Sequence, residues 1–177
     1  VMSWLADIGL TTLQVRCVVS KCPMVFQVSL QQIVQPAVKW LKHLGMDDGQ
    51  VAKLLASFPG VLTRSVERTL EPKVKWLKGF GLDDQQVAKI FARFPSLLGL
   101  SLEKNLKPKV QAIRTRGIAD TQLVSLLVRF PRVLGSSADL LTRRMNVLAA
   151  QGLFTEQSLR NTIALTEAKF AARFESA

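Results

Sequence analysis

Tyrosine is absent from this chain of 177 residues, histidine occurs once and cysteine twice. A structural zinc site takes four ligands, so His43, Cys17 and Cys22 cannot build one, and no metal or other cofactor is expected. Two cysteines separated by four residues make no disulfide framework, and a reducing interior compartment fits better than a secretory one. No apolar run reaches the 18 residues of a membrane span, which excludes a membrane helix. Glycine-rich phosphate loops are missing, and the 13 carboxylates form no constellation with the lone histidine, so neither an enzyme nor a small-molecule substrate is expected. Asp47–Asp48 and Asp83–Asp84 read as helix caps rather than a metal pair. No secretory or transit segment is visible. Val1 aligns with Ala37 in the repeat frame set out below, so the chain reads as part of a longer protein whose targeting signal would lie upstream.

What is present is a 36-residue period. Trp4, Trp40 and Trp76 share a column. So do Pro36, Pro72 and Pro108; Pro23, Pro59, Pro95 and Pro131; Gly9, Gly45, Gly81 and Gly117; and Gln14, Gln50, Gln86 and Gln122. A period of this length marks a stacked-repeat architecture. The boundaries are a partial repeat over 1–35, repeats over 36–71, 72–107 and 108–143, and a C-terminal capping repeat over 144–177, together one solenoid domain spanning 1–177.

Within 36–71, Pro36 opens a helix, where its missing N–H costs nothing. Ala37, Val38, Trp40, Leu41 and Leu44 share its apolar face, and Gly45 ends it with a left-handed cap. Asp47 and Gln50 have capping-box spacing, repeated in Asp83 with Gln86 and Thr11 with Gln14. Val51, Leu54, Leu55 and Phe58 line the second helix, which Pro59 stops. Ser65 caps a short third piece before Pro72, and the pattern leaves open whether that piece joins the next helix. Sustained two-residue alternation is missing, so strands are not expected. The tail departs from the period. Gly152 comes one residue early, and Thr166 and Glu167 replace the Phe-Pro pair, which predicts one long last helix from Thr155 to Phe174. Trp4, Trp40, Trp76 and the phenylalanines of the Phe-Pro pairs read as core.

The segments SVERTLEPKVKWLKGFGL from Ser65, SLEKNLKPKVQAIRTRGI from Ser101 and DDQQVAKIFARFPSLLGLSLEKNLKPKV from Asp83 resemble the mitochondrial transcription termination factor family, mTERF, over about residues 2–153; the pentatricopeptide repeat is the runner-up. The resemblance implies an all-α superhelical solenoid, right- or left-handed, of about five repeats. It also implies residence in mitochondria, with chloroplasts as the alternative, and binding of organellar DNA or RNA without catalysis.

The net charge of +11 points independently to a polyanionic partner. Residues 72–107 and 108–143 carry +4 each, and the other three segments +1 each. The candidate nucleic-acid contacts are Lys75, Lys78, Lys89, Arg93, Lys104, Lys107, Lys109, Arg114, Arg129, Arg132, Arg143 and Arg144. Stacking turns such columns into a stripe that a phosphate backbone can follow. Scarce exposed aromatics disfavour a reader that stacks unpaired bases. Five stacked units would reach roughly 50 Å at 8–10 Å per helix, short for encircling a duplex. Structured RNA, such as rRNA beside ribosomal proteins, is therefore favoured as partner, with duplex DNA and transcription termination as the alternative and a helical protein scaffold as a third reading.

Overall fold

The computed structural model describes residues 1–174. Eleven α-helices and the short turns between them make up the described residues: α1 (Met2–Asp7), α2 (Thr12–Lys21), α3 (Gln35–His43), α4 (Asp48–Ser57), α5 (Glu71–Lys78), α6 (Asp84–Arg93), α7 (Lys107–Arg114), α8 (Asp120–Arg129), α9 (Ala138–Ala150), α10 (Glu156–Ile163) and α11 (Glu167–Phe174). They fall into two compact units, Val1–Leu100 and Ser101–Ala177. In the first unit α2, α4 and α6 pack side by side as one layer, and α3 and α5 pack against α4 and α6 as a second. In the second unit α7 packs on α8 and α9, and α10 on α8 and α9.

Local chemistry explains the element boundaries. Asp47 accepts the Gln50 N–H at 2.7 Å while the Gln50 side chain accepts the Asp47 N–H at 3.2 Å. Asp83 with Gln86, and Thr11 with Gln14, repeat this box. Gln122 reaches back to Ala119 N–H at 3.1 Å, but alanine offers no acceptor, so α8 has half a box. Gly45, at φ 89°, closes α3 with a Schellman pair, Gly45 N–H to Lys42 O and Met46 N–H to Leu41 O.

The short third piece runs straight into the next helix through a π turn. Leu30–Val34, Val66–Leu70 and Leu102–Leu106 are single π turns that lead directly into α3, α5 and α7, each capped by a serine: Ser29, Ser65 or Ser101. In a regular α-helix the proline ring at 36, 72 or 108 would strike the carbonyl four residues back. The extra residue of a π turn widens the ring of hydrogen bonds at that point. The last repeat confirms the cause. Ser137 caps α9, which has no such proline and no π turn. Its helix is one residue shorter from serine to glycine, and that is why Gly152 arrives early.

The tail corrects the expected single helix. α10 ends at Ile163 and α11 starts at Glu167, with the Thr166 hydroxyl accepting Lys169 N–H at the new start. The guanidinium of Arg144 takes the carbonyls of Thr162 and Leu165 that end α10, so the break is held from α9. The tryptophans and the Phe-Pro phenylalanines are half-buried rather than fully enclosed. Trp40 lies 6.1 Å from Phe91, and Trp76 meets Phe80 edge-on at 5.2 Å.

Candidate nucleic-acid interface

Ten of the twelve predicted cations are exposed: Lys75, Lys78, Lys89, Arg93, Lys104, Lys107, Arg114, Arg129, Arg132 and Arg143. The other two are corrections. Lys109 is 6% exposed and Arg144 1%. Lys109 Nζ donates to Leu134 O at 2.8 Å, and Arg144 donates to the tail carbonyls and to Glu167 Oε1 at 2.9 Å. Lys73, which the sequence reading left aside, does the same in the first unit, donating to Thr69 O and Leu98 O at 3.0 Å each. These residues share one column once the lost residue before Gly152 is allowed for, and Ala37, fully buried, stands in it too. Their charge serves backbone carbonyls inside the repeat and is out of reach of a phosphate. Burial pushes the Lys109 ammonium below its usual range. Burial, and then the nearby Arg64 guanidinium, push that of Lys73 down to about 8.

Several exposed cations are already matched by a carboxylate. Lys42 with Asp48 (2.5 Å), Lys78 with Asp84 (2.7 Å) and Arg114 with Asp120 (3.0 Å) repeat one staple, from the end of the first helix to the first turn of the second. Lys75 meets Glu71 at 3.5 Å, Lys107 meets Glu103 at 2.6 Å and Arg143 meets Glu167 at 3.0 Å. Among the described residues no carboxylate meets Lys39, Lys53, Lys89, Lys104 or Arg132.

The layers also divide the charge. In the first unit Lys39 and Lys75 stand on the first-helix layer, while Lys53, Lys89 and Arg93 stand on the second-helix layer. A single ribbon across both layers is therefore not what the fold builds. The imbalance lies between the two edges where the layers join. At the glycine-turn edge of that unit, Asp7, Asp47, Asp48, Asp83 and Asp84 outnumber Lys42 and Lys78. At the opposite edge, where second helices end and the Phe-Pro turns lie, Lys21, Arg64, Arg68 and Arg93 outnumber Glu67 and Glu71. The corresponding edge of the second unit has Lys104, Lys107, Arg129 and Arg132 against Glu103 and Asp139. Part of this charge is structural: Lys21 Nζ donates to Ala56 O at the end of α4.

Along the basic edge each unit has a shallow groove at the same place in the repeat. In the first, about 240 Å³, Gln32 and Pro36 face Arg64, Ser65, Glu67 and Arg68. In the second, about 200 Å³, Lys104 and Pro108 face Ala138 and Thr142. Arg64 lies over the Phe58 ring, 5.9 Å from its centre, and its buried Nε has no partner among the described residues. Glu67 is held below the usual carboxylate range by backbone N–H donation and then by the Ser65 hydroxyl at 2.9 Å. Arg64 and Arg68 were missed from sequence; Arg68 stands in the column of Lys104, which was the available signal.

Among the described residues no group of three or more His, Cys, Asp or Glu could hold a metal ion, and no helix is long and apolar enough to cross a membrane. No curated protein matches the chain. The family model described as mTERF does match, over residues 1–171, in keeping with the helix, glycine turn, capped helix, Phe-Pro turn and serine-capped π turn set out above, and the chain belongs to the mTERF family.

Proposed function

We propose that this protein is an organellar gene-expression factor that holds structured RNA by its phosphates along the Phe-Pro edge of its repeats, rRNA in an organellar ribosome being the favoured target. Membership of a family of generally non-enzymatic nucleic-acid binders gives the class of activity. The observation that carries the reading is the unequal edges of the first unit, where carboxylates staple or crowd the glycine-turn side and Arg64 and Arg68 leave the opposite side basic; the second unit has Lys104 and Arg132 at its own Phe-Pro edge. Phosphate contacts position a partner without reading its bases. Trp40 and Trp76 engage neighbouring rings, which supports shape recognition over base stacking. Mitochondria are the proposed compartment.

Crosslinking in organelles, followed by sequencing of bound RNA and DNA, tests the target. Enrichment of rRNA is expected. A single DNA locus would move the function to transcription termination. No nucleic acid, together with a partner retained at high salt, would favour a protein scaffold, because phosphate binding weakens steeply with ionic strength.

A further inference from the structure

The groove of the first unit gathers polar side chains that the fold leaves uncommitted. Its apolar walls are Ile33, Pro36 and Val66, and its volume of about 240 Å³ has room for a single nucleobase. The Arg64 guanidinium lies over the Phe58 ring and makes no hydrogen bond or ion pair among the described residues. The Gln32 side-chain amide makes none either. Glu67 Oε2 accepts the Ser65 hydroxyl at 2.9 Å, and among the described residues no lysine or arginine pairs with this carboxylate.

The repeat frame marks these groups as departures. Arg64 stands where the other repeats have Val28, Leu100 and Ser136, so stacking does not require an arginine there. Glu67 shares its column with Glu103, which Lys107, four residues on, takes at 2.6 Å. Four residues on from Glu67 stands Glu71, a like charge that is itself paired with Lys75. Arg64 is also held in place. A Cβ at Gly99 would come within 2.7 Å of the Phe58 ring and 3.7 Å of the Arg64 guanidinium, so glycine there leaves room for the ring that backs the arginine.

A bare phosphate would be repelled by the carboxylate. A fixed guanidinium, an amide and an unpaired carboxylate in one groove suit a ligand edge that offers donors and acceptors together. Among the RNA bases, guanine alone sets two adjacent donors, N1–H and the N2 amino group, beside the acceptors O6 and N7. We propose that this groove takes one unpaired guanine of the bound RNA, Glu67 accepting from N1–H and the N2 amino group and Arg64 donating to O6 and N7. Backbone N–H donation and the Ser65 hydroxyl hold the Glu67 carboxyl below its usual range, so it is the ionised acceptor at neutral pH. Pro36 and Val66 cover the base, and the exposed Arg68 at the rim meets the adjoining phosphate. In a duplex the same guanine edge is taken by its pairing partner, so the guanine belongs to a loop or a bulge. The inference rests on the reading of the Phe-Pro edge as the RNA-holding edge and adds one position at which that edge reads sequence.

Three RNA hairpins that differ only in a one-nucleotide bulge supply the test: guanine, inosine (guanine without its N2 amino group) and adenine. The guanine hairpin should bind about tenfold more tightly than the adenine one, as a good two-point contact to a base edge allows, with inosine between them. Glu67→Gln separates two roles by sign. If the carboxylate only repels phosphates, its neutralisation tightens all three hairpins alike. If it reads the base, the guanine hairpin loses ground to the other two. Arg64→Lys keeps the charge and removes the planar fork, so it should abolish the preference for guanine and leave the salt dependence as it was. Circular dichroism on both variants checks that the helices are kept. Equal affinity for the three hairpins, with steep salt dependence, would overturn the guanine pocket and leave the RNA-holding edge standing. Failure to bind any hairpin would overturn both.

Discussion

Lys73 shows what a single buried cation costs this fold and what it does. Its ammonium binds the carbonyls of Thr69 and Leu98, yet desolvation holds its pKa at about 8 against the usual 10.5. Between those values the unfolded chain binds more protons than the folded one, so stability rises with pH across that window, and the penalty is fully present below pH 8. Urea unfolding at pH 7.5 and pH 10 should show the native chain gaining stability from this group and Lys73→Met gaining less; equal gains would mean the ammonium is not desolvated. A second residue-scale prediction concerns Ala119. Gln122 already supplies half of a capping box there, and Asp83 shows what the missing half looks like at 2.7 Å. Ala119→Asp should add about 1 kcal/mol, seen as a melting point higher by roughly 2–4 °C. The residue scale is also where sequence reading failed. Lys109 reads from sequence as a surface cation because it sits among lysines, although its column mate Ala37 marks the position as inward.

At the scale of the element, the π turn is tied to the proline that follows it. α9 reaches its glycine with one residue fewer and no proline, so the pair can be removed together but not singly. Deleting Asn105 in a Pro108→Ala chain should convert the stretch from Leu102 to Arg114 into an unbroken α-helix with little loss of stability. Deleting Asn105 with Pro108 retained forces proline into a regular helix interior and should cost about 3 kcal/mol or more. Comparison of the two variants by denaturant unfolding checks this; similar losses in both would detach the turn from the proline. Helices, glycine breaks and capping boxes were legible because each depends on residues within a few positions. The continuity of the third piece was not, since proline is compatible both with a break and with a widened turn. The early Gly152 was visible as an irregularity, and its meaning emerged only once the π turn was seen to hold the extra residue. The division of the tail into α10 and α11 depends on Arg144 reaching across from α9, a contact that local pattern cannot reveal.

For the whole molecule the question is whether a polyanion responds to total charge or to where the charge stands. The net charge of +11 is legible from composition, and it draws nucleic acid from a distance whatever the arrangement. The edges were not legible, because the periodic pattern marks each lysine without showing that Asp48 and Asp84 reach back to Lys42 and Lys78. Two double variants with the same change in net charge separate the two effects. Lys42→Glu with Lys78→Glu alters the stapled glycine-turn edge of the first unit, and Arg68→Glu with Lys104→Glu alters the Phe-Pro edge of each unit at one position. If contact is made along the second edge, the Arg68/Lys104 variant should lose affinity for an RNA duplex, and the slope of log K against log salt should fall by about 2, near 0.9 for each lost phosphate contact. The Lys42/Lys78 variant should keep its slope and lose only the weaker long-range attraction, while breaking two exposed ion pairs worth at most about 1 kcal/mol each to folding. Circular dichroism on both variants guards against unfolding. Equal slopes in the two variants would mean that net charge alone holds the nucleic acid and that the basic edge has no privileged role.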